Sequence, residues 1–260
     1  MNQVKPILVQ GKPLGGGALP VIITPLVGAT AQAILDEVAA IVPKAPDLLE
    51  WRVDFFAAIG DTQAVIDTAL AIRRAAGGIP VLLTRRNVSE GGTPIPIDEA
   101  QVVAMYGAAC AARCVEMIDY ELSNAAADLQ RLREVSAANG VAMIMSYHNF
   151  QMTPDAATLD SKFAAAEKLG ADVAKVAVMP QNEQDVLALL AATDRARQTI
   201  GVPLISMSMG GIGSLSRIMG WVYGSAATFA VGKSSSAPGQ IAVEDLRTAL
   251  AIVRKAVTGQ

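Results

Sequence analysis

Short apolar runs alternate along the chain with longer stretches in which apolar residues recur every three or four positions. The runs are VIITP from Val21, LLEWRV from Leu48, VLLT from Val81, CVEMI from Cys114, VAMIMS from Val141, VAKVAV from Val173, LISM from Leu204 and ATFAV from Ala227. They are short and mostly apolar throughout, as expected of strands buried on both faces. Their spacing of roughly thirty residues leaves room for one strand, one helix and two loops per unit. The stretches between them are alanine-rich and helical in period: Ile34, Val38 and Val42 follow a candidate cap at Thr30, and Leu246, Leu250 and Val253 lie near the end.

Strand–helix alternation predicts a parallel sheet, and eight near-equal units favour an α/β fold of the (β/α)8 TIM barrel type over an open doubly wound sheet. The first strand-to-loop junction, TPLVGAT, also lacks the glycine fingerprint that an open dinucleotide-binding sheet carries there. Ile7 to Leu14, with Gly11 in its middle, reads as a short N-terminal β-hairpin closing the bottom of the barrel. No internal linker or low-complexity tract divides the chain, so residues 1–260 are expected to form a single barrel domain.

Composition narrows the partners. The 260 residues include 21 basic and 24 acidic ones, with no block of like charge and few aromatics, which disfavours nucleic acid and acidic membrane. No signal peptide or membrane span is evident. Cys110 and Cys114 lie four apart where a helix gives way to a strand, suggesting neither a disulfide framework nor a CxxC site, and a reducing cytoplasm fits. With a single histidine and no cysteine cluster, no zinc site is expected, and no cofactor is implied.

In a barrel the chemistry sits at the C-terminal ends of the strands. Lys175 lies inside VAKVAV, with no carboxylate nearer in sequence than Asp172. Burial there should pull its pKa down from about 10.4, towards the neutral amine a nucleophile needs. The residue pattern alone balances that reading evenly against a lysine paired with a barrel carboxylate. His148, in MSYHNF after the fifth run, is the one imidazole available as acid and base. Glu50, Arg52 and Asp54 are expected on one strand face, opposite Trp51 and Val53; they suit either a structural ion pair or a substrate-binding network. TRRNVSEGGTPIP, with Arg85, Arg86 and Glu90, reads as a loop over the mouth, with a solvated surface loop as the plainer alternative. Arg217 in MSMGGIGSLSRIMG, with Ser236 and Gln240 in KSSSAPGQ, could clamp a carboxylate. The glycines could equally cradle a phosphate or simply permit helix packing.

Six motifs in one order, EWRVDFF, RNVSEGG, SYHNF, ADVAKVAVMP, SMGGIGSLSR and SAPGQ, closely resemble the type I 3-dehydroquinate dehydratases over essentially the whole chain. The resemblance implies a small-molecule substrate, 3-dehydroquinate, dehydrated to 3-dehydroshikimate in the shikimate pathway through a Schiff base on Lys175. It implies that His148 is the general acid and base, oriented by Glu90. Arg217, Ser236 and Gln240 would bind the carboxylate, and Glu50, Arg52 and Arg86 the ring hydroxyls. Positive charge from Arg52, Arg86 and Arg217 would add to the pull on Lys175, and a homodimer is implied. Trp51 stands where an aliphatic residue is commoner in that family, and Gly210 and Gly211 stand where bulkier ones are frequent. The alternatives are a class I aldolase, which would need a phosphate site, and a silent barrel that senses a polyhydroxylated acid.

Overall fold

The computed structural model describes residues 5–259. Strands β1 (Ile7–Val9) and β2 (Lys12–Leu14) form an antiparallel hairpin. Its two-residue turn, Gln10 and Gly11, has φ of 48° and 76°, the left-handed pair that such a tight turn demands. The next eight strands are parallel: β3 (Val21–Leu26), β4 (Leu48–Arg52), β5 (Val81–Thr84), β6 (Met117–Glu121), β7 (Ala142–Asn149), β8 (Val173–Val178), β9 (Leu204–Ser208) and β10 (Ala227–Val231). They follow sequence order, β10 pairs back onto β3, and a bridge between Leu204 and Ser225 joins the remaining edge. A two-residue strand, β11 (Ile241–Ala242), pairs in parallel with the end of β10. The architecture is the α/β, TIM-barrel-like one expected, with its hairpin.

The helices are α1 (Ala31–Ile41), α2 (Thr62–Ala75), α3 (Glu99–Ala111), α4 (Ala126–Asn139), α5 (Ala156–Lys168), α6 (Glu183–Thr199), α7 (Gly210–Met219) and α8 (Val243–Thr258). Side chains cap several of them: Thr30 for α1, Asp61 for α2, Asp155 for α5 and Asn182 for α6. Asp98 and Gln101 make a reciprocal capping box at the start of α3. In α1 the buried stripe runs Ile34, Val38 and Ile41; Val42 belongs to a following 3-10 turn.

Strand alternation divides the core into two shells. Outward residues such as Leu49, Trp51, Leu83, Ile118, Met145, Ala174 and Val176 pack against the helices. Inward residues Ile23, Leu48, Leu82, Met117, Ile144, Val173 and Ile205 fill the barrel, and Val9 and Leu14 of the hairpin join them from below. Two residues further along the strands the inward positions turn polar: Glu50, Thr84, Asp119, Ser146 and Lys175. Because side chains alternate with period two, the same strands that build an apolar floor carry charge above it.

Two expected boundaries are corrected. The fourth apolar run is not the strand from Cys114 to Ile118: β6 starts at Met117, because Ala112, Arg113 and the buried Cys114 are needed to leave α3. β4 ends at Arg52, and Val53–Phe55 is a 3-10 turn, so Asp54 does not share a strand face with Glu50 and Arg52. The turn nevertheless swings Asp54 back onto Arg52.

Candidate active site

The mouth of the barrel holds a pocket lined by Glu50, Arg52, Arg86, Glu90, His148, Lys175, Arg217, Ser236 and Gln240. All nine candidate residues therefore meet in one place. Gly91, Phe150, Ala177, Met207, Met209, Phe229 and Ala237 complete the lining with apolar surface.

Lys175 projects inward from β8, and its Nζ lies 2.8 Å from Asp119 Oδ2 and 4.0 Å from Glu50 Oε1. Its Nζ also sits 4.7 Å from the centre of the Phe229 ring. Of the two readings left open for Lys175, the pairing with a barrel carboxylate is present in the structure: Asp119, 56 residues away in sequence, comes from β6. Asp119 in turn receives Arg86 Nη2 at 2.8 Å and the Ser146 hydroxyl at 2.6 Å. Burial would raise its pKa, but Arg86 and Lys175 more than offset that and hold it far below the usual carboxylate range.

His148 is buried at the end of β7. Its Nδ1 lies 3.0 Å from Glu90 Oε2, which also accepts the His148 backbone N–H at 2.8 Å. Ser123 donates to the other Glu90 oxygen at 2.7 Å. This bonding assigns the ring proton to Nδ1 and leaves Nε2 basic. Burial, then the charges of Arg86 and Lys175, pull the imidazole well below its ordinary pKa of 6.5, so the ring is neutral at pH 7. Burial also pushes the Glu90 carboxyl up, partly offset by the Ser123 hydrogen bond.

The arginines differ in their partners. Arg52 makes a two-pronged pair with Asp54 at 2.8 Å through both Nε and Nη2. Arg86 donates to Glu121 and Ser146 besides pairing with Asp119. The positive field expected around Lys175 is therefore largely neutralised where it arises. Arg217 is the exception. It is 1% exposed, touches the Pro238 carbonyl and the Met207 sulfur, leaves Nε without a partner, and meets no carboxylate among the described residues. Burial lowers its pKa to about 10. A buried cation so placed is costly unless an anion joins it.

Two loops roof the pocket. Residues 87–96 form a 3-10 turn at Val88–Glu90, pinned where Asp54 accepts the Thr93 N–H and Glu121 the Asn87 N–H. Glycine is required at Gly92, where a Cβ would lie 1.8 Å from the Arg86 carbonyl oxygen. The second loop brings Ser236 and Gln240 together, with Gln240 accepting from the Ser236 N–H at 3.2 Å. Gly210, at the start of α7, donates its N–H to the Pro238 carbonyl, which ties the second loop to this helix end.

The model of the family described as type I 3-dehydroquinase matches residues 22–256. The chain belongs to the type I 3-dehydroquinase family. A 3-dehydroquinate dehydratase of Albidiferax ferrireducens is 53% identical over 257 residues, covering 99% of this chain and 97% of the relative. A crystal structure of 3-dehydroquinate dehydratase from Geobacillus kaustophilus, 45% identical, superposes with a TM-score of 0.95 over 98% of this chain and 99% of its own. The type I enzyme of Clostridium difficile, solved with covalent modified comenic acid, is 34% identical, with a TM-score of 0.93 over 97% of this chain and 98% of its own.

For a type I 3-dehydroquinase the site contains groups that the sequence reading passed over: Asp119, Glu121, Thr84, Ser146 and the Phe229 ring. Asp119 and Glu121 were legible in principle, since MIDYE alternates charged and apolar positions. The departure at Trp51 falls on the outer shell, where its ring packs edge-on to Phe56 at 5.5 Å, away from the pocket. Gly210 has φ of 70° and sits against Gly239, where a Cβ would come within 2.1 Å of the Gly210 oxygen. In this 3-dehydroquinase those glycines let the roof loop lie on the start of α7.

Proposed function

We propose that Lys175 is the residue through which this hydro-lyase converts 3-dehydroquinate to 3-dehydroshikimate, with His148 as its general acid and base. The Lys175 amine attacks the ketone to form an imine, and the protonated imine draws electrons from the neighbouring carbon. His148 Nε2, basic because Nδ1 is engaged by Glu90, removes the proton there and returns it to the departing hydroxyl. Arg217, with Ser236 and Gln240, receives the substrate carboxylate. Glu50, Arg52 and Arg86 receive the ring hydroxyls. The observation that carries this reading is that one pocket gathers an amine, a neutral imidazole and an arginine with no counter-ion among the described residues, all three buried.

The same reading has the chain acting as one catalytic domain and as a homodimer in the cytoplasm. The buried free thiols of Cys110 and Cys114 suit a reducing compartment. Among the described residues, no helix is long and apolar enough to cross a membrane. An aldolase acting on sugar phosphates is disfavoured because the first N–H of α7, at the candidate phosphate cradle, is already taken by the Pro238 carbonyl.

The test is to supply 3-dehydroquinate, follow the enone absorbance of the product, and then add borohydride and map the adduct. Enone formation with a reduced adduct on Lys175 supports the assignment, and an adduct on any other lysine overturns it. Arg217→Met separates binding from chemistry. KM should rise roughly 100-fold while kcat changes little, because a charge-assisted pair to the carboxylate is lost. The free protein should keep its stability or gain about 1–2 kcal/mol on chemical unfolding, since a lone buried charge has gone. An unchanged KM would remove Arg217 from the carboxylate site.

A further inference from the structure

We propose that Asp119 is the counter-ion of the Schiff base, holding the Lys175 nitrogen in place and keeping the imine protonated through the elimination. The proposal rests on Lys175 forming the imine, and it concerns a residue that neither the motifs nor the proposed roles above include.

Geometry makes Asp119 the partner of that nitrogen. Its Oδ2 is at hydrogen-bond distance from Nζ, while Glu50, the other carboxylate nearby, is at 4.0 Å and accepts the Thr84 hydroxyl instead. Asp119 Oδ1 is held independently by Arg86 and Ser146, so the carboxylate cannot turn away when Lys175 changes its chemistry. Asp119 is fully buried and Lys175 only 4% exposed, so water cannot serve in its place. The charged and titratable groups around the pair are Glu50 from β4, Arg52 at its end, Arg86 after β5, Glu121 on β6 itself and His148 from β7. Of these, His148 keeps Nε2 for exchanging a proton with substrate while its Nδ1 is held by Glu90, and the others are engaged in ion pairs or hydrogen bonds.

The reaction needs such an anion. The amine adds to the ketone carbon and water leaves, giving a C=N–H cation. His148 takes the adjacent proton, the C–H electron pair becomes a C=C bond, and the C=N pair settles on nitrogen as a neutral enamine. The nitrogen pair then pushes back as the C–O bond breaks, and the proton on His148 leaves with that oxygen as water. Hydrolysis of the iminium frees the amine and the product. Nitrogen passes from cation to neutral and back while keeping one N–H, and Asp119 can accept that N–H throughout. A buried iminium with no anion beside it would shed its proton and lose its pull on electrons. Asp119 itself, bracketed by Arg86 and Lys175, is too weak a base to compete for the proton.

Asp119→Asn tests this, with Asp119→Glu as the conservative companion. Asp119→Asn should lower kcat roughly 100-fold, the scale of losing one preorganised electrostatic contact. KM should change by less than about threefold, and the alkaline limb of kcat should move down by at least about one pH unit. Asp119→Glu should recover about tenfold of the loss. A kcat near that of the unaltered enzyme, or a lower kcat with an unmoved pH profile, would overturn the proposal. Should the asparagine variant not fold, the unaltered enzyme decides. With 15N-labelled lysine and excess 3-dehydroshikimate, the adduct nitrogen should resonate as iminium up to about pH 9. A neutral imine there overturns the role of Asp119 alone; no adduct at all overturns the imine on Lys175 as well.

Discussion

Lys175→Ala is expected to lower kcat by at least about 10⁴-fold and to remove the borohydride-trapped adduct altogether, because no other amine is placed to form the imine. Among the described residues, Lys175 is the one lysine lining the pocket. The variant should still fold. Asp119 keeps Arg86 and Ser146, so the carboxylate left behind is not stranded, and the stability loss should stay below the roughly 3–5 kcal/mol typical of breaking a buried pair. Residual trapping on the variant at the original rate would mean that the nucleophile lies elsewhere.

His148→Ala should separate imine formation from elimination. Turnover should fall by about 10³- to 10⁴-fold, while borohydride still captures substrate on Lys175, more slowly. Full turnover would remove His148 from proton transfer. The acid side of the rate profile provides a second check. Because burial and the neighbouring cations depress its pKa, His148 in the folded enzyme stays neutral below pH 6.5, and the acid limb of kcat/KM should lie well under that value. The linkage sign follows. Below pH 6.5 the unfolded chain binds a proton that the folded chain refuses, so stability falls as pH drops through 6.5. His148→Ala should lose that component of the pH dependence, read from urea unfolding at a series of pH values.

Most of the fold was legible because it rests on local pattern. Runs such as VAKVAV and VLLT admit little besides buried parallel strands, and their spacing leaves room for one helix each. The hairpin from Ile7 to Leu14 was legible from one glycine. The β6 boundary was harder, since Cys114 and Val115 look like strand residues yet fill the turn after α3. That slip of three residues hid Asp119 and Glu121, whose carboxylates fall beyond the end of the expected run. The pairing of Asp119 with Lys175 was out of reach for a different reason. It joins β6 to β8 across the barrel interior, and nothing local to either strand specifies it.

The motifs pointed to His148, Arg217, Ser236 and Gln240, which line one pocket, but the state of each was not legible. No sequence pattern says that Arg52 and Arg86 arrive already paired while Arg217 meets no carboxylate among the described residues. That contrast depends on Asp54 swinging back from a 3-10 turn and on Glu121 reaching across from β6.

The apolar floor sealed by Val9 and Leu14 bears on traffic through the enzyme. With the hairpin filling the lower end of the barrel, the pocket around Lys175 faces the mouth, where the loops that carry Glu90 and Gln240 line it. Product therefore has to leave that mouth before the next substrate can reach Lys175 by the same route.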